Sequence, residues 1–233
     1  MRKYLLCLTS LFCLQVNAEF KNESELGYAS ANGNSKTLSL VAKQASDYSF
    51  TGNVVAFKAR YLNGKANGVE NVRYLMTGLR YERELGSQFN VFAGETFEKD
   101  KFADVDKRFS TDVGGKYKII DTEKTKLFTE LGYRYKHENR IAGPFNHGNY
   151  IRNYNEWEYK WTPTFSTKYW LEILPNLSAT NDWQYNTELS LIAAINSIFS
   201  MQASGTVRYD HEPAPGVRYK TESLLTSSLV AKF

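Results

Sequence analysis

The chain is poor in cysteine, histidine and proline, and no long apolar run follows its first residues. Its 233 residues hold two cysteines, three histidines and five prolines. Both cysteines, Cys7 and Cys13, fall in the first 18 residues, so a chain lacking that segment has no disulfide, thiolate nucleophile or Cys-ligated metal. His137, His147 and His211 are scattered among mixed carboxylates without the spacing of a metal motif. No metal, cofactor-binding or catalytic residue is therefore assigned. Nothing after residue 18 approaches the ~20 apolar residues of a spanning helix. Excess charge of one sign is also missing. Without Arg2 and Lys3 the formal balance falls from +4 to +2. Signs are interspersed, which gives no argument for nucleic acid. The length fits one domain, and there is no linker, low-complexity tract or basic tail.

The first 18 residues have their own logic. Arg2 and Lys3 precede an apolar stretch from Tyr4 to Leu14, and Val16-Asn17-Ala18 offers a cleavage site. This is the layout of a secretory signal peptide, too short to span a bilayer as an ordinary helix. We expect residues 1–18 to be cleaved and 19–233 to form one domain starting at Glu19. Leu6 and Phe12 precede the cysteines where a lipoprotein signal needs a small residue, so no lipidation is expected.

Aromatic residues are abundant. They make up 15% of the chain, with 16 Tyr and 14 Phe, while mean hydropathy is only -0.48. In a transmembrane barrel only alternate residues face lipid, so average hydropathy stays low while aromatic girdles raise the Tyr, Phe and Trp content. The alternation is visible. Tyr219, Thr221, Ser223, Leu225, Ser227, Leu229, Ala231 and Phe233 share one face of an extended segment. Val55, Phe57, Ala59 and Tyr61 share another, as do Leu75, Thr77, Leu79 and Tyr81. Similar sets run through 109–119, 127–135, 151–161, 165–173, 183–193 and 199–209. Signals at 24–31 and 37–45 are weaker. In 89–98 Glu95 shares a face with Phe89, Val91, Ala93 and Phe97, which predicts a bulge that restores the phase.

The pattern predicts about twelve antiparallel strands in an up-and-down transmembrane β-barrel. Breaks at 46–49, 85–88, 121–124, 162–163 and 196–198 are short. They alternate with breaks at 32–36, 63–69, 99–107, 139–149, 175–181 and 210–218, most of them longer. Short periplasmic turns alternating with longer external loops place both termini in the periplasm of a bacterial outer-membrane protein. An open sheet edge is excluded in hydrocarbon, so the last strand pairs with the first. Phe233 marks that seam and serves as the insertion signal.

The opposite parity carries charge. Arg108, Asp112 and Lys116 share one inward face; Lys126, Glu130, Arg134 and Lys136 the next; Arg152, Glu156, Glu158 and Lys160 a third. Lys168, Glu172, Glu188, Arg208 and Glu222 continue the series. Opposite signs at short steps pair across neighbouring strands. They serve either as polar filling or as the lining of a narrow hydrated pore.

Enzymatic readings find less support. A Ser/His hydrolase has no distinguishable Ser partner. An aspartyl-type protease would use Asp104 and Asp106 with Asp210 and His211, but the last two are adjacent and point to opposite faces. Asp121-Thr122 suits a tight turn through Asx hydrogen bonds.

Several segments resemble a bacterial family of salt-induced (salt-stress-induced) outer membrane proteins, a domain family of unknown function. The match is clearest from Gly114-Gly115-Lys116-Tyr117-Lys118-Ile119-Ile120-Asp121-Thr122 to Leu127. Leu131-Gly132-Tyr133-Arg134-Tyr135 resembles the strand that follows. Val207 to Val217, with Pro213, Pro215 and Gly216, resembles the family's last external loop, and Gly33-Asn34-Ser35 before Lys36 to Leu40 its first hairpin. The resemblance implies a link to osmotic conditions and no assigned site residues.

The sequence thus predicts a monomeric outer-membrane barrel of 19–233 in contact with lipid. Periplasmic chaperones and the barrel assembly machinery would deliver it. Its role is a narrow pore or passive channel for ions or small solutes. The alternatives are a structural or stress-related barrel without transport and a surface-binding barrel acting through 99–107, 139–149 and 210–218.

Overall fold

The structure is a computed structural model and describes residues 18–32, 37–66, 69–179, 181–217 and 219–233. The strands are β1 Ala18–Asn32, β2 Thr37–Phe50, β3 Asn53–Ala66, β4 Val69–Glu84, β5 Phe89–Asp100 and β6 Val105–Asp121. They continue as β7 Thr125–Arg140, β8 Asn146–Thr162, β9 Phe165–Pro175, β10 Trp183–Ala194, β11 Phe199–Asp210 and β12 Thr221–Lys232. Every strand pairs antiparallel with its sequence neighbours, and β1 pairs with β12, closing a barrel. Among the described residues no helix is long and apolar enough to cross a membrane. Any crossing is by strands.

At the seam, Asn22 and Phe233 exchange backbone hydrogen bonds of 3.0 and 2.9 Å. Lys232 pairs with Glu23 beside them at 3.0 Å. Closure leaves no free ladder edge, as a hydrocarbon setting demands. The strands meet short turns at one end. Thr51 and Gly52 both have positive φ, 43° and 72°, the backbone of a two-residue primed hairpin. Asn196 Oδ1 accepts from the N–H groups of Ile198 and Phe199 at 2.8 and 2.7 Å, fixing the β10–β11 turn. The β6–β7 turn is tied by Thr122. Its hydroxyl lies 3.0 Å from both the carbonyl oxygen and the N–H of Thr125, so the residue after Asp121 does the work expected of an Asx turn.

Several boundaries differ from the sequence reading. The break expected at 46–49 is strand; β2 runs to Phe50 because Asp47 and Ser49 face inward while Tyr48 faces out. The break at 63–69 narrows, since β3 reaches Ala66 and β4 begins at Val69. Polar Asn63 and Lys65 read as loop but pair with β4 through a bulge at Gly64/Lys65. Likewise β6 begins at Val105 and β8 at Asn146, so strand takes over part of 99–107 and 139–149. No bulge lies within 89–98. The register shifts later, between Glu98 and Asp100, and Glu95 stays on the outer face, accepting 2.6 Å from the Thr111 hydroxyl. Residues 1–17 and Gly33, Asn34, Ser35 and Lys36 lie outside the described residues, which leaves most of the expected signal peptide and the expected first hairpin tip without a structural account.

The outer surface is apolar and aromatic. Leu26, Leu40, Phe57, Leu79, Val113, Leu131, Leu189, Met201, Leu225 and Leu229 are all exposed there. Rings cluster toward both ends. Tyr159 and Trp161 meet at 4.7 Å on the short-turn side, while Phe97 and Phe109, at 5.1 Å, and Trp183 and Tyr209, at 4.9 Å, lie on the other. A lipid-facing belt with aromatic borders has this form. Its polar interruptions satisfy one another. Gln44 donates to Asn22 at 2.5 Å and accepts from Ser24 at 2.7 Å, and Asn155 donates to Asn153 at 2.8 Å.

Candidate functional site

The inner face of β4–β9 carries a lattice of opposite charges. Glu82 accepts from Arg80 at 2.9 Å, and Arg80 also reaches Glu130 at 2.8 Å. Glu130 binds Arg152 at 2.5 Å, and Arg152 binds Glu172 at 2.6 Å. Glu172 takes Arg134 at 3.1 Å, and Arg134 forks onto Asp112 with two bonds of 2.7 Å. Lys116 closes the other end on Glu82 at 3.2 Å. The Arg80–Glu130 pair joins β4 to β7 over the intervening β5 and β6, because the lattice is built from long side chains projecting inward from a curved wall.

Glycine makes room for the lattice. Gly114 and Gly132 face each other across β6 and β7, and a Cβ on Gly114 would fall 2.9 Å from the ring tip of Phe92. That ring lies under the Arg80 guanidinium, 3.8 Å from centroid to Cζ. Stacking and bidentate pairing are what arginine's planar fork allows and lysine's point charge does not.

A second group lies toward the long-loop end. Arg108 donates to Glu138 at 2.7 Å and approaches Glu98 at 3.5 Å. Arg208 on β11 crosses to Asp100 on β5 at 3.7 Å, stands over the Tyr74 ring at 5.2 Å and approaches Glu222 at 3.9 Å. Asp100 also accepts from the N–H groups of Phe102 and Ala103, capping the short 3₁₀ turn Lys101–Ala103. Between these groups lies a cavity of about 330 Å³ lined in part by Arg60, Lys136, Tyr150, Trp170, Asp182 and Asp210. Toward β12, β1 and β2 the same end is filled by Ala29, Val41 and Leu62, packed with Val72, Tyr74 and Leu224.

The remaining inward charges are more dispersed. Glu156 pairs with Lys168 at 2.8 Å, and Glu158 sits opposite Lys168 in the β8–β9 register. Glu188 accepts from Thr206 and Ser190 at 2.8 and 3.2 Å. The residues singled out from sequence, Arg108 through Glu222, thus occupy the inner face, but not as one constellation. Arg80, Glu82, Glu98, Asp100 and Glu138 were missed. Reading the inward parity of β4 and β5 would have found the first four, where the outward Glu95 obscured the phase, and carrying the parity of β7 past Lys136 would have found Glu138.

The acidic pairs of the protease idea have other occupations. Asp106 pairs outside with Lys99 at 3.6 Å, and Asp104 Oδ1 accepts from the N–H of Ala142 at 2.9 Å. His211 Nδ1 is 2.8 Å from the Tyr209 hydroxyl, and its ring stacks on Trp183. His137 packs edge-on against Phe145 at 4.4 Å. Among the described residues no group of His, Cys, Asp and Glu is arranged to hold a metal ion.

The fold is similar to that of the NanC porin, at a TM-score of 0.65 and 11% identity over 90% of this chain and 100% of that one. It is also similar to the KdgM porin, at 0.53 and 11% over 91% and 99%. A complex of KdgM with disordered oligogalacturonate gives 0.52 over the same shares. At such identities the likeness is one of fold. No curated protein matches the sequence. The family model described as "Protein of unknown function, DUF481" matches residues 24–233, and the chain belongs to that family.

Proposed function

We propose that this chain is a bacterial outer-membrane barrel acting as a narrow passive pore for ions or small solutes. One observation carries the reading: a closed, apolar-skinned barrel encloses a polar interior with a cavity of about 330 Å³ instead of a packed apolar core. The porin folds it resembles support this. Because most lumen cations are tied to carboxylates, the pore discriminates weakly between anions and cations.

The same reading covers biogenesis. Residues 1–18 act as the signal peptide, Phe233 as the insertion tag, and chaperones with the barrel assembly machinery deliver a monomer. Ala18 and Lys232 both lie at the short-turn end, which supports a periplasmic location for the termini. A link to salt stress is tested by following the protein's abundance across osmolarity.

A second reading, a barrel without transport, is favoured by the Arg208–Asp100 strut between opposite walls and by the Arg80–Glu130 pair that reaches over β5 and β6. Purified barrel in a planar bilayer decides between them. Stepwise single-channel currents are expected. A silent bilayer with confirmed insertion leaves the non-conducting barrel.

A further inference from the structure

Among the described residues, two charges in the vestibule, Lys136 and Asp182, make no ion pair. Lys136 is only 6% exposed and lines the cavity. Its ammonium stands over the Tyr150 ring, 4.6 Å from the centroid. Glu138, next on the same face, is held by Arg108 and Arg140 at 2.7 and 3.2 Å. Among the described residues no carboxylate reaches Lys136 within ion-pair distance, although Glu138, Asp210 and Asp182 act on it through their field, as does the positive Arg108. Burying an ammonium without a hydrogen-bond acceptor is costly.

The complementary vacancy lies at the far end of the same tyrosine. The Tyr150 hydroxyl donates to Asp182 Oδ2 at 2.8 Å, and Asn176 donates to that oxygen at 2.7 Å. Asp182 Oδ1 is buried and has no hydrogen-bond partner among the described residues. Among the described residues, the hydrogen bonds to the nearby Asp210 carboxylate come from neutral donors, Gln184 at 3.1 Å and the Glu212 N–H at 3.0 Å. Tyr150 is seated against Gly148, where a Cβ would fall 2.6 Å from the ring.

Resting on the pore reading, we propose that this vestibule binds a small zwitterion carrying a primary ammonium and a carboxylate. The solute carboxylate accepts from Lys136, and its ammonium donates to Asp182 Oδ1, with Asp210 adding negative field. A lone anion at Lys136 is repelled by both aspartates, and a lone cation at Asp182 is repelled by Lys136. A molecule bearing both charges satisfies both vacancies. The cavity, about 330 Å³, is of the size that holds small ligands.

The test is calorimetric titration of the detergent-solubilised barrel with glycine and 4-aminobutyrate, with acetate and methylammonium as single-charge probes at equal ionic strength. At least one zwitterion is expected to bind at millimolar concentration, and both single-charge probes at least tenfold more weakly. Lys136→Gln and Asp182→Asn should each weaken zwitterion binding tenfold or more, and Lys136→Arg should retain it. Heat-modified electrophoretic mobility reports folding of each variant, and the comparison among probes requires no variant at all. The proposal is overturned if neither zwitterion binds, if acetate or methylammonium binds equally well, or if both neutralised variants bind as the native barrel does. Currents carried by potassium chloride in the same preparation report on the pore independently, so loss of the site and loss of the channel are separable.

Discussion

On the inner face of β4–β9 stand Arg80, Glu82, Phe92, Arg134, Arg152 and Glu172; on β10–β12, β1 and β2 stand Ser190, Ser204, Thr226, Ser228, Gly27, Ala29 and Val41. These residues of the first wall are long and mostly charged and those of the second short and uncharged; charge on the second wall is confined to fewer positions, among them Glu25, Lys43, Glu188, Arg208 and Glu222. The long side chains reach into space the short ones leave free, and Gly27 illustrates how tight the second wall is: a Cβ there would lie 2.5 Å from that of Ser228. On the first wall buried charges other than Lys136 are paired, as burial demands. On the second, the hydroxyls of Ser200, Ser204, Thr226 and Ser228 are buried without a partner among the described residues. A buried hydroxyl without a partner costs far less than a buried charge. The asymmetry teaches where the lumen is electrostatically built and where it is merely filled.

The largest expected effect of breaking this contrast is at Glu130, which is 3% exposed and serves both Arg80 and Arg152. Glu130→Gln leaves two guanidinium groups short of charge, and a loss of about 3–5 kcal/mol in urea unfolding of the detergent-solubilised barrel is expected. A loss below about 1 kcal/mol would mean that water already screens the lattice. Next comes Gly114→Ala, whose Cβ would lie 2.5 Å from the Leu131 carbonyl oxygen and 2.9 Å from Phe92. About 1–3 kcal/mol should be lost by the same measurement. On the opposite wall, Thr226→Val removes a buried, unpartnered hydroxyl at nearly constant shape. Stability should hold within about 1 kcal/mol or rise slightly. A large loss there would reveal a bound water and erase the difference between the walls.

Much of the barrel was legible because its physics is periodic. Lipid on one side and water on the other impose period-2 alternation, and Leu127-Thr129-Leu131-Tyr133-Tyr135 shows it plainly. What the sequence hid follows from local exceptions. Ser46, Asp47 and Ser49 look like a turn, yet the hairpin turns at Thr51-Gly52, where positive φ is required. Glu95 suggested a bulge, but hydrogen bonding to Thr111 keeps it on the outer face without one. The charge lattice was visible only as a list of inward residues. Which partner each chooses depends on curvature across non-adjacent strands, as in Arg80 of β4 with Glu130 of β7, and strand-by-strand alternation carries no such information. Lys136 appeared in the sequence as one more inward charge; only the geometry separates it from its paired neighbours.

The central claim is that solute passes a lumen whose charges balance. Reversal potentials in a potassium chloride gradient across a bilayer holding the single barrel test it most directly. The native pore should discriminate weakly, Glu130→Gln should shift the potential toward anions, and Arg134→Gln, which releases Asp112 and Glu172, should shift it toward cations. Two variants with the native reversal potential, or with shifts of the same sign, would contradict the account.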